Sequence, residues 1–401
     1  MERRNWEKVR IVAWAALALA AALVQPAQAQ TFRVLYTFTG GADGGTPEAP
    51  LLLHGSSLYG TTIVGGSSNN GVVFQFDLKT GQQTVVHNFA GSPSDGSYAA
   101  YAGLFADGAG DLYGVTAQGG GNGQGTVFEL SPSGVERLWS LEGRNSGEDP
   151  QSAPVRDSSG TYGTAYARGS KGAGTVFKLG KSRSLIPIHA FNIRDGGGPT
   201  GAVVLINGFL YGATYYGGVD GAGVIYKVNV ATGATTVLYS FTGAADGGYP
   251  HGGLAADAAG NLYGTTSVGG LANPACDFDG PIPGCGTIFK LDTSGNLTTL
   301  YSFGGGSDGA DCWGTLVLDA QGNLYGTTNS GGTVSPGLCE YGCGTVFKLD
   351  TAGNFTTLHS FQGGANGGGM LAGVTLGPGG VIFGATDASS PGYGVVFALK
   401  P

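Results

Sequence analysis

Residues 261–270 read Asn-Leu-Tyr-Gly-Thr-Thr-Ser-Val-Gly-Gly, residues 286–292 read Gly-Thr-Ile-Phe-Lys-Leu-Asp, and residues 297–303 read Leu-Thr-Thr-Leu-Tyr-Ser-Phe. The same phrase recurs along the chain. Its Tyr-Gly landmark falls at Tyr59, Tyr113, Tyr162, Tyr211, Tyr263 and Tyr325, with Phe383 in the last copy. Its Gly-x-Val/Ile-Phe/Tyr landmark ends at Phe74, Phe128, Phe177, Tyr226, Phe289, Phe347 and Phe397, and its third landmark ends at Phe38, Phe89, Leu141, Phe191, Phe241, Phe303 and Phe361. A period of roughly 50 residues points to a propeller, a solenoid or an array.

The interior of one copy decides among these. The fifth offers four short runs rich in Val, Thr, Phe, Tyr and Leu, over 252–257, 261–266, 286–292 and 297–303, punctuated by Gly, Asn and Asp. Glycine supplies the positive φ that tight hairpins need. Past the first 29 residues no stretch has an apolar period of 3.6, so almost no helix is expected. The ends complement each other: residues 32–38 are a fourth strand lacking the first three, and the last copy offers three strands and stops. Joining them closes a ring and removes two free sheet edges, a gain that a solenoid or open array would not have. The expected fold is all-β, a seven-bladed propeller of four-stranded antiparallel blades occupying residues 30–401 as one domain. With 79 glycines among 401 residues the composition alone would suggest disorder, but the aromatic landmarks recur too regularly for that.

Residues 1–29 read as a secretory leader: Arg3, Arg4, Lys8 and Arg10, then apolar residues 11–24, then Ala27-Gln28-Ala29. The apolar run is short for a membrane span. Export to the periplasm or the extracellular space is expected, with no membrane attachment after cleavage. Loss of the leader removes four basic and two acidic residues, leaving fifteen against twenty-five and a net charge of −10. Such a chain is a poor partner for nucleic acid or anionic lipid.

All five cysteines lie in copies five and six. Cys276–Cys285 and Cys339–Cys343 are the expected disulfides of an exported protein, cross-pairing or a four-cysteine zinc site being the alternatives, and Cys312 is left over.

The combination in Asn261-Leu-Tyr-Gly-Thr-Thr-Ser-Val-Gly-Gly270 and Gly286-Thr-Ile-Phe-Lys-Leu-Asp292 resembles the GloVer tandem repeat, named for Gloeobacter and Verrucomicrobia and found in bacterial choice-of-anchor proteins. The resemblance covers essentially all of the mature chain. It implies an exported bacterial repeat protein and brings no catalytic residue or ligand with it. The sorting anchor common among such proteins is not visible here.

Asp43, Asp95, Asp195, Asp246 and Asp308, with Asp149 and Asn366 in related positions, follow the outermost strand. They read as turn residues accepting backbone N–H bonds, the alternative being a carboxylate ring at the channel mouth. Asp107, Asp157, Asp257 and Asp319 read as hairpin residues. His87, His189 and His359 share a slot with Tyr36, Trp139, Tyr239 and Tyr301 and read as packing residues. Positions that break the repeat are free to define a ligand surface. One slot before the innermost strand holds Glu48, Thr200, His251 and Trp313; Tyr249 and Asp311 sit beside it; and the cysteine inserts add Asp277, Phe278, Asp279, Glu340 and Tyr341. These place aromatic and acidic groups on one loop face, a pairing suited to a polysaccharide or a protein partner. No nucleophile elbow, zinc-protease motif or phosphate loop occurs, and no metal or cofactor is expected. The expected function is non-catalytic binding by a monomer. The alternatives are a lactonase or lyase with a metal or a His–acid pair in its channel, and a passive module of the cell envelope.

Overall fold

In the computed structural model the described residues are 30–401 except 135, 181–182, 274–275, 277–281, 370–371 and 388–391. The leader at 1–29 lies outside them. Seven four-stranded antiparallel sheets form the blades of a propeller. Blade five runs Ala255–Ala256, Leu262–Thr266, Thr287–Leu291, Leu297–Ser302. Blade seven is Thr375–Leu376, Ile382–Thr386 and Val395–Lys400, and its fourth strand is Thr31–Thr37, antiparallel to Val395–Lys400 with Thr31 opposite Lys400. The ring therefore closes as the complementary ends predict.

Each landmark has a packing role. The last-strand Phe of one blade meets the third-strand aromatic of the next nearly edge-on, as in Phe38–Phe74 at 5.1 Å, Phe89–Phe128 at 5.3 Å, Phe241–Phe289 at 5.2 Å and Phe361–Phe397 at 5.4 Å. Such pairs contribute about 0.5–1.5 kcal/mol beyond their buried area. Blade two carries Leu141 in place of Phe, and it packs with Phe177 in an aliphatic version of the same seam. The Gly of the Tyr-Gly landmark makes room for the ring across the ladder: a Cβ on Gly264 or Gly326 would lie closer than 3.0 Å to Phe289 or Phe347.

The innermost strands are shorter than the sequence suggests. In blade five only Ala255–Ala256 joins the ladder, not 252–257. The preceding residues turn their bonds around the axis instead: Leu254 N–H donates to Ala202 of blade four, and Gly253 N–H to Thr315 Oγ1 of blade six. Below these crossings the inner strands line a cavity of about 530 Å³ with Leu52, Leu104, Val317, Leu318, Val374 and Leu376.

The outer turn aspartates are scaffold. Backbone N–H groups of Ala90, Asn192, Thr242 and Gly304 donate to Asp95, Asp195, Asp246 and Asp308, while Tyr36, Tyr239 and Tyr301 hydroxyls donate to Asp43, Asp246 and Asp308. They sit at the rim beside the outermost strand, away from the channel. Asp149 does not belong to this set. Ser146 fills the turn slot of blade three, accepting from Glu142 N–H, because the landmark Leu141 sets the count and Asp149 falls three residues beyond.

Cys276–Cys285 and Cys339–Cys343 are disulfides, and Cys312 is a buried free thiol. Two bridges mark an oxidising compartment. Among the described residues no helix is long and apolar enough to cross a membrane.

Candidate functional site

The loops entering each blade converge on one mouth of the channel, and at one matching position in each the backbone is left-handed: Thr46, Tyr98, Asp149, Gly198, Tyr249, Asp311 and Gly369, with φ from 52° to 65°. Five are not glycine, although this conformation costs an ordinary residue about 1–2 kcal/mol. The hydrogen bonds explain the arrangement. Each N–H reaches back to the preceding blade, as Tyr249 to Ala222 at 2.8 Å and Asp311 to Cys285 at 3.1 Å, while the carbonyl accepts from its own blade, as from Ser267 and Asn329. The residue is a backbone clip between blades, so its side chain and the one two places on are released from scaffold duty.

Those side chains build the mouth. His251 and Trp313 stack at 4.0 Å with planes 21° apart. Tyr101 closes over them at 6.2 and 6.3 Å, and Tyr215 meets His251 edge-on while stacking on Tyr249 at 5.0 Å. Trp313 Nε1 donates to Asp311 Oδ1 at 2.6 Å, and Asn329 Nδ2 to Asp311 Oδ2 at 3.1 Å. The aromatic group plugs the axis and separates the apolar cavity below from a polar recess above. That recess, about 460 Å³, is lined by Tyr98, Tyr101, Gln118, Gln124, Asp149 and Gln151.

Burial tunes the ionisable groups. Glu48, only 6% exposed, has its carboxyl pushed up to about 8 by desolvation and by the charge of Asp387. Asp149 is raised by burial against the hydrogen bond from Gln151, and Asp311 by burial against the bonds from Asn329 and Trp313. Burial lowers His251 to about 4, so its ring is neutral near pH 7. Among the described residues, the buried side-chain atoms without a hydrogen-bond partner include Glu48 Oε2, Gln124 Oε1 and Gln151 Oε1. The Gln151 amide is oriented by its nitrogen, which donates to Asp149 Oδ2 at 2.8 Å.

Of the residues singled out in the sequence, Tyr249, His251, Asp311 and Trp313 come together. Glu48 joins through Asp387, Tyr98 and Tyr101, whose hydroxyls feel its charge. Thr200 is buried, donating to the Pro250 carbonyl. Glu340 and Tyr341 are exposed on the blade-six insert. The contacts of that insert include Ser335 Oγ donating to the Gln362 carbonyl and Leu338 lying against Gly363 at the outer end of its blade, and the Cys343 carbonyl accepting from Gly369 N–H at the clip. Asp277, Phe278 and Asp279 lie outside the described residues. Tyr98, Tyr101, Gln151, Tyr215, Asn329 and Asp387 escaped the sequence reading, and Asp149 was read as a turn residue. Blade two carries one extra residue between the clip and the inner strand, which hides Tyr101 from alignment, and Gln151 was missed because Asp149, its clip, was counted with the outer turn aspartates. Tyr215, Asn329 and Asp387 share the slot four residues after the Tyr-Gly landmark aromatic, at the end of the second strand or just past it, where the repeat also varies.

Among the described residues no group of three or more His, Cys, Asp or Glu is placed to hold a metal. The channel lining named above supplies no inward acid or histidine.

No protein of curated function matches the sequence. Among solved structures the chain is similar to virginiamycin B lyase from Staphylococcus aureus, with a TM-score of 0.59 at 11% identity over 93% of this chain and 99% of the lyase. A catalytically inactive form of that enzyme with quinupristin gives 0.60 at 12% over the same shares. Oligogalacturonate lyase from Vibrio parahaemolyticus gives 0.53 at 10%, over 94% of this chain and 95% of that one. At these identities the likeness is one of fold. The Gloeobacter/Verrucomicrobia repeat matches residues 22–134, 93–276 and 277–401, taking in all seven blades, and the chain belongs to that repeat family.

Proposed function

We propose that this propeller is an exported, non-catalytic binding protein, periplasmic or extracellular, that takes a saccharide at the loop-lined mouth. The carrying observation is the pair of recess-lining glutamines whose buried carbonyl oxygens, Gln124 Oε1 and Gln151 Oε1, have no donor among the described residues, with Glu48 Oε2 a third such atom near the mouth. An unpaired buried acceptor costs about 1–3 kcal/mol, and a ligand rich in hydroxyl donors relieves that cost. The Tyr98 and Tyr101 rings, which line the recess, supply faces for the apolar side of a sugar, and Trp313 packs against Tyr101. The recess is of a size to take one or two sugar rings.

The test is a thermal-shift and calorimetric screen of the mature protein against a polysaccharide panel. A ligand that prefers the folded state raises the melting temperature by mass action. Trp313→Ala and Gln151→Ala should each abolish the shift. A panel in which no saccharide moves the melt overturns the reading.

A further inference from the structure

The cavity under the aromatic plug has a chemistry of its own. Among the described residues its wall carries no charge: it is built of aliphatic side chains, glycines, Pro50, two threonines and Tyr101. The polar side-chain atoms of that wall are engaged within the ring. Thr375 Oγ1 donates to the Leu51 carbonyl, Thr315 Oγ1 accepts from Gly253 N–H at 3.0 Å, and the Tyr101 hydroxyl is hydrogen-bonded with Tyr98. A water needs two to four polar partners, about three on average, and these side chains offer it little. Leu52, Leu53, Leu318 and Leu376 are nevertheless only half-buried, and all four face this space. Covering them with an apolar body is favourable in proportion to the area removed from water. One end of the cavity is shut by Tyr101, packed on His251 and Trp313, and the other reaches the hairpin turns that follow Leu53, Leu318 and Leu376. Gly103 and Ala153 stand at wall positions where a longer side chain would narrow it.

Size sets the shape of what fits. An apolar cavity of about 150 Å³ holds benzene, so at the same ratio a space of about 530 Å³ holds roughly twenty carbon atoms. The wall spans four residues of an inner strand, Gly373 to Leu376, or about 13 Å along the axis. Twenty carbons in one extended chain would run about 25 Å, twice that depth. We propose that the channel binds a compact apolar molecule, ring-built or branched, of up to about twenty carbons, entering from the hairpin face with any polar group left at the open end. This site lies on the far side of the plug from the saccharide recess and stands apart from that reading. Each methylene-sized group buried there strengthens binding roughly fourfold until the space is filled.

Fluorescence titration of the mature protein with N-phenyl-1-naphthylamine tests this, followed by displacement with two competitors: abietic acid, which is tricyclic, and arachidic acid, its straight-chain counterpart of equal carbon number. The probe should saturate at one molecule per chain, and abietic acid should displace it at a concentration roughly tenfold below that needed for arachidic acid. Ala153→Leu sets a branched side chain into the space and should weaken the probe and abietic acid by at least about tenfold. Leu318→Asn makes the open end polar and should act in the same direction, serving as a second variant should the first fold poorly. Arachidic acid displacing the probe as well as abietic acid, or better, overturns the compact shape assigned to the ligand. Fluorescence that never saturates, or binding undiminished in both variants, overturns the site itself.

Discussion

Glu48→Gln should stabilise the protein, and by an amount that grows with pH. In the folded chain the Glu48 carboxyl is raised from 4.5 to about 8, so across that interval the native state holds a proton that the unfolded chain has released. Stability is then present below pH 4.5 and lost as pH rises, at about 1.4 kcal/mol per pH unit. The accumulated loss is about 3 kcal/mol by pH 7 and about 5 kcal/mol above pH 8. Gln does not titrate and escapes this loss, although its NH₂ group inherits a buried setting and returns about 1 kcal/mol of the gain. The net gain at pH 7 is about 2 kcal/mol, or roughly 3 °C in melting temperature for a domain of this length. Urea unfolding of both proteins at pH 5 and pH 8 is the assay. Every other titrating group is common to the two, so the change in their stability difference isolates Glu48. A difference that stays constant between the two pH values, or a variant that loses ground as pH rises, would refute the burial argument.

Acid should act through two histidines. Burial lowers both His251 and His359 from 6.5 to about 4, so their stabilising contribution is complete above pH 6.5 and falls by up to about 3 kcal/mol each as pH drops to 4; His359→Phe should flatten the acid limb of a urea-midpoint profile while changing little at pH 7. Asp308→Ala removes the acceptor for Gly304 N–H and Tyr301 Oη and should cost about 2–3 kcal/mol by urea unfolding. Trp313→Ala removes the stack on His251 and strips Asp311 of a donor, costing about 2–4 kcal/mol by the same measure. Deleting residues 30–38 exposes the edge of Val395–Lys400 and should produce aggregation in light scattering at concentrations where the full chain stays dispersed.

The blade count, the strand order and the closing strand were legible because each rests on residues that repeat. A Phe that must meet the next blade, or a Gly that must admit it, has little choice, and seven copies expose the constraint. The mouth is harder to read for the opposite reason. Its side chains hang on a backbone clip that tolerates Thr, Tyr, Asp or Gly alike, so the chain leaves them unmarked. His251 and Trp313 stood out as breaks in an otherwise regular slot. Tyr101 did not, because one added residue in blade two shifts it out of register. Asp149 was grouped with the aspartates that follow the outermost strand, and only the count from Leu141 places it at the mouth. That the inner strands spend their first residues on neighbouring blades is likewise invisible in one copy, since it depends on how closely seven backbones approach an axis.

The pairing of Thr31 with Lys400 carries a mechanical consequence. The strand that enters the ring and the strand that leaves it run in opposite directions with their free ends side by side. Tension applied to the two termini therefore peels the clasp from Thr31 inward, loading one rung at a time, where a shear geometry would share the load across all of them. Each rung resists with the strength of a single hydrogen bond, about 1 kcal/mol net. A tether pulling at both ends would unlatch the ring at low force while the other six blades stay folded, whereas a tether at one end alone would leave the latch unstressed.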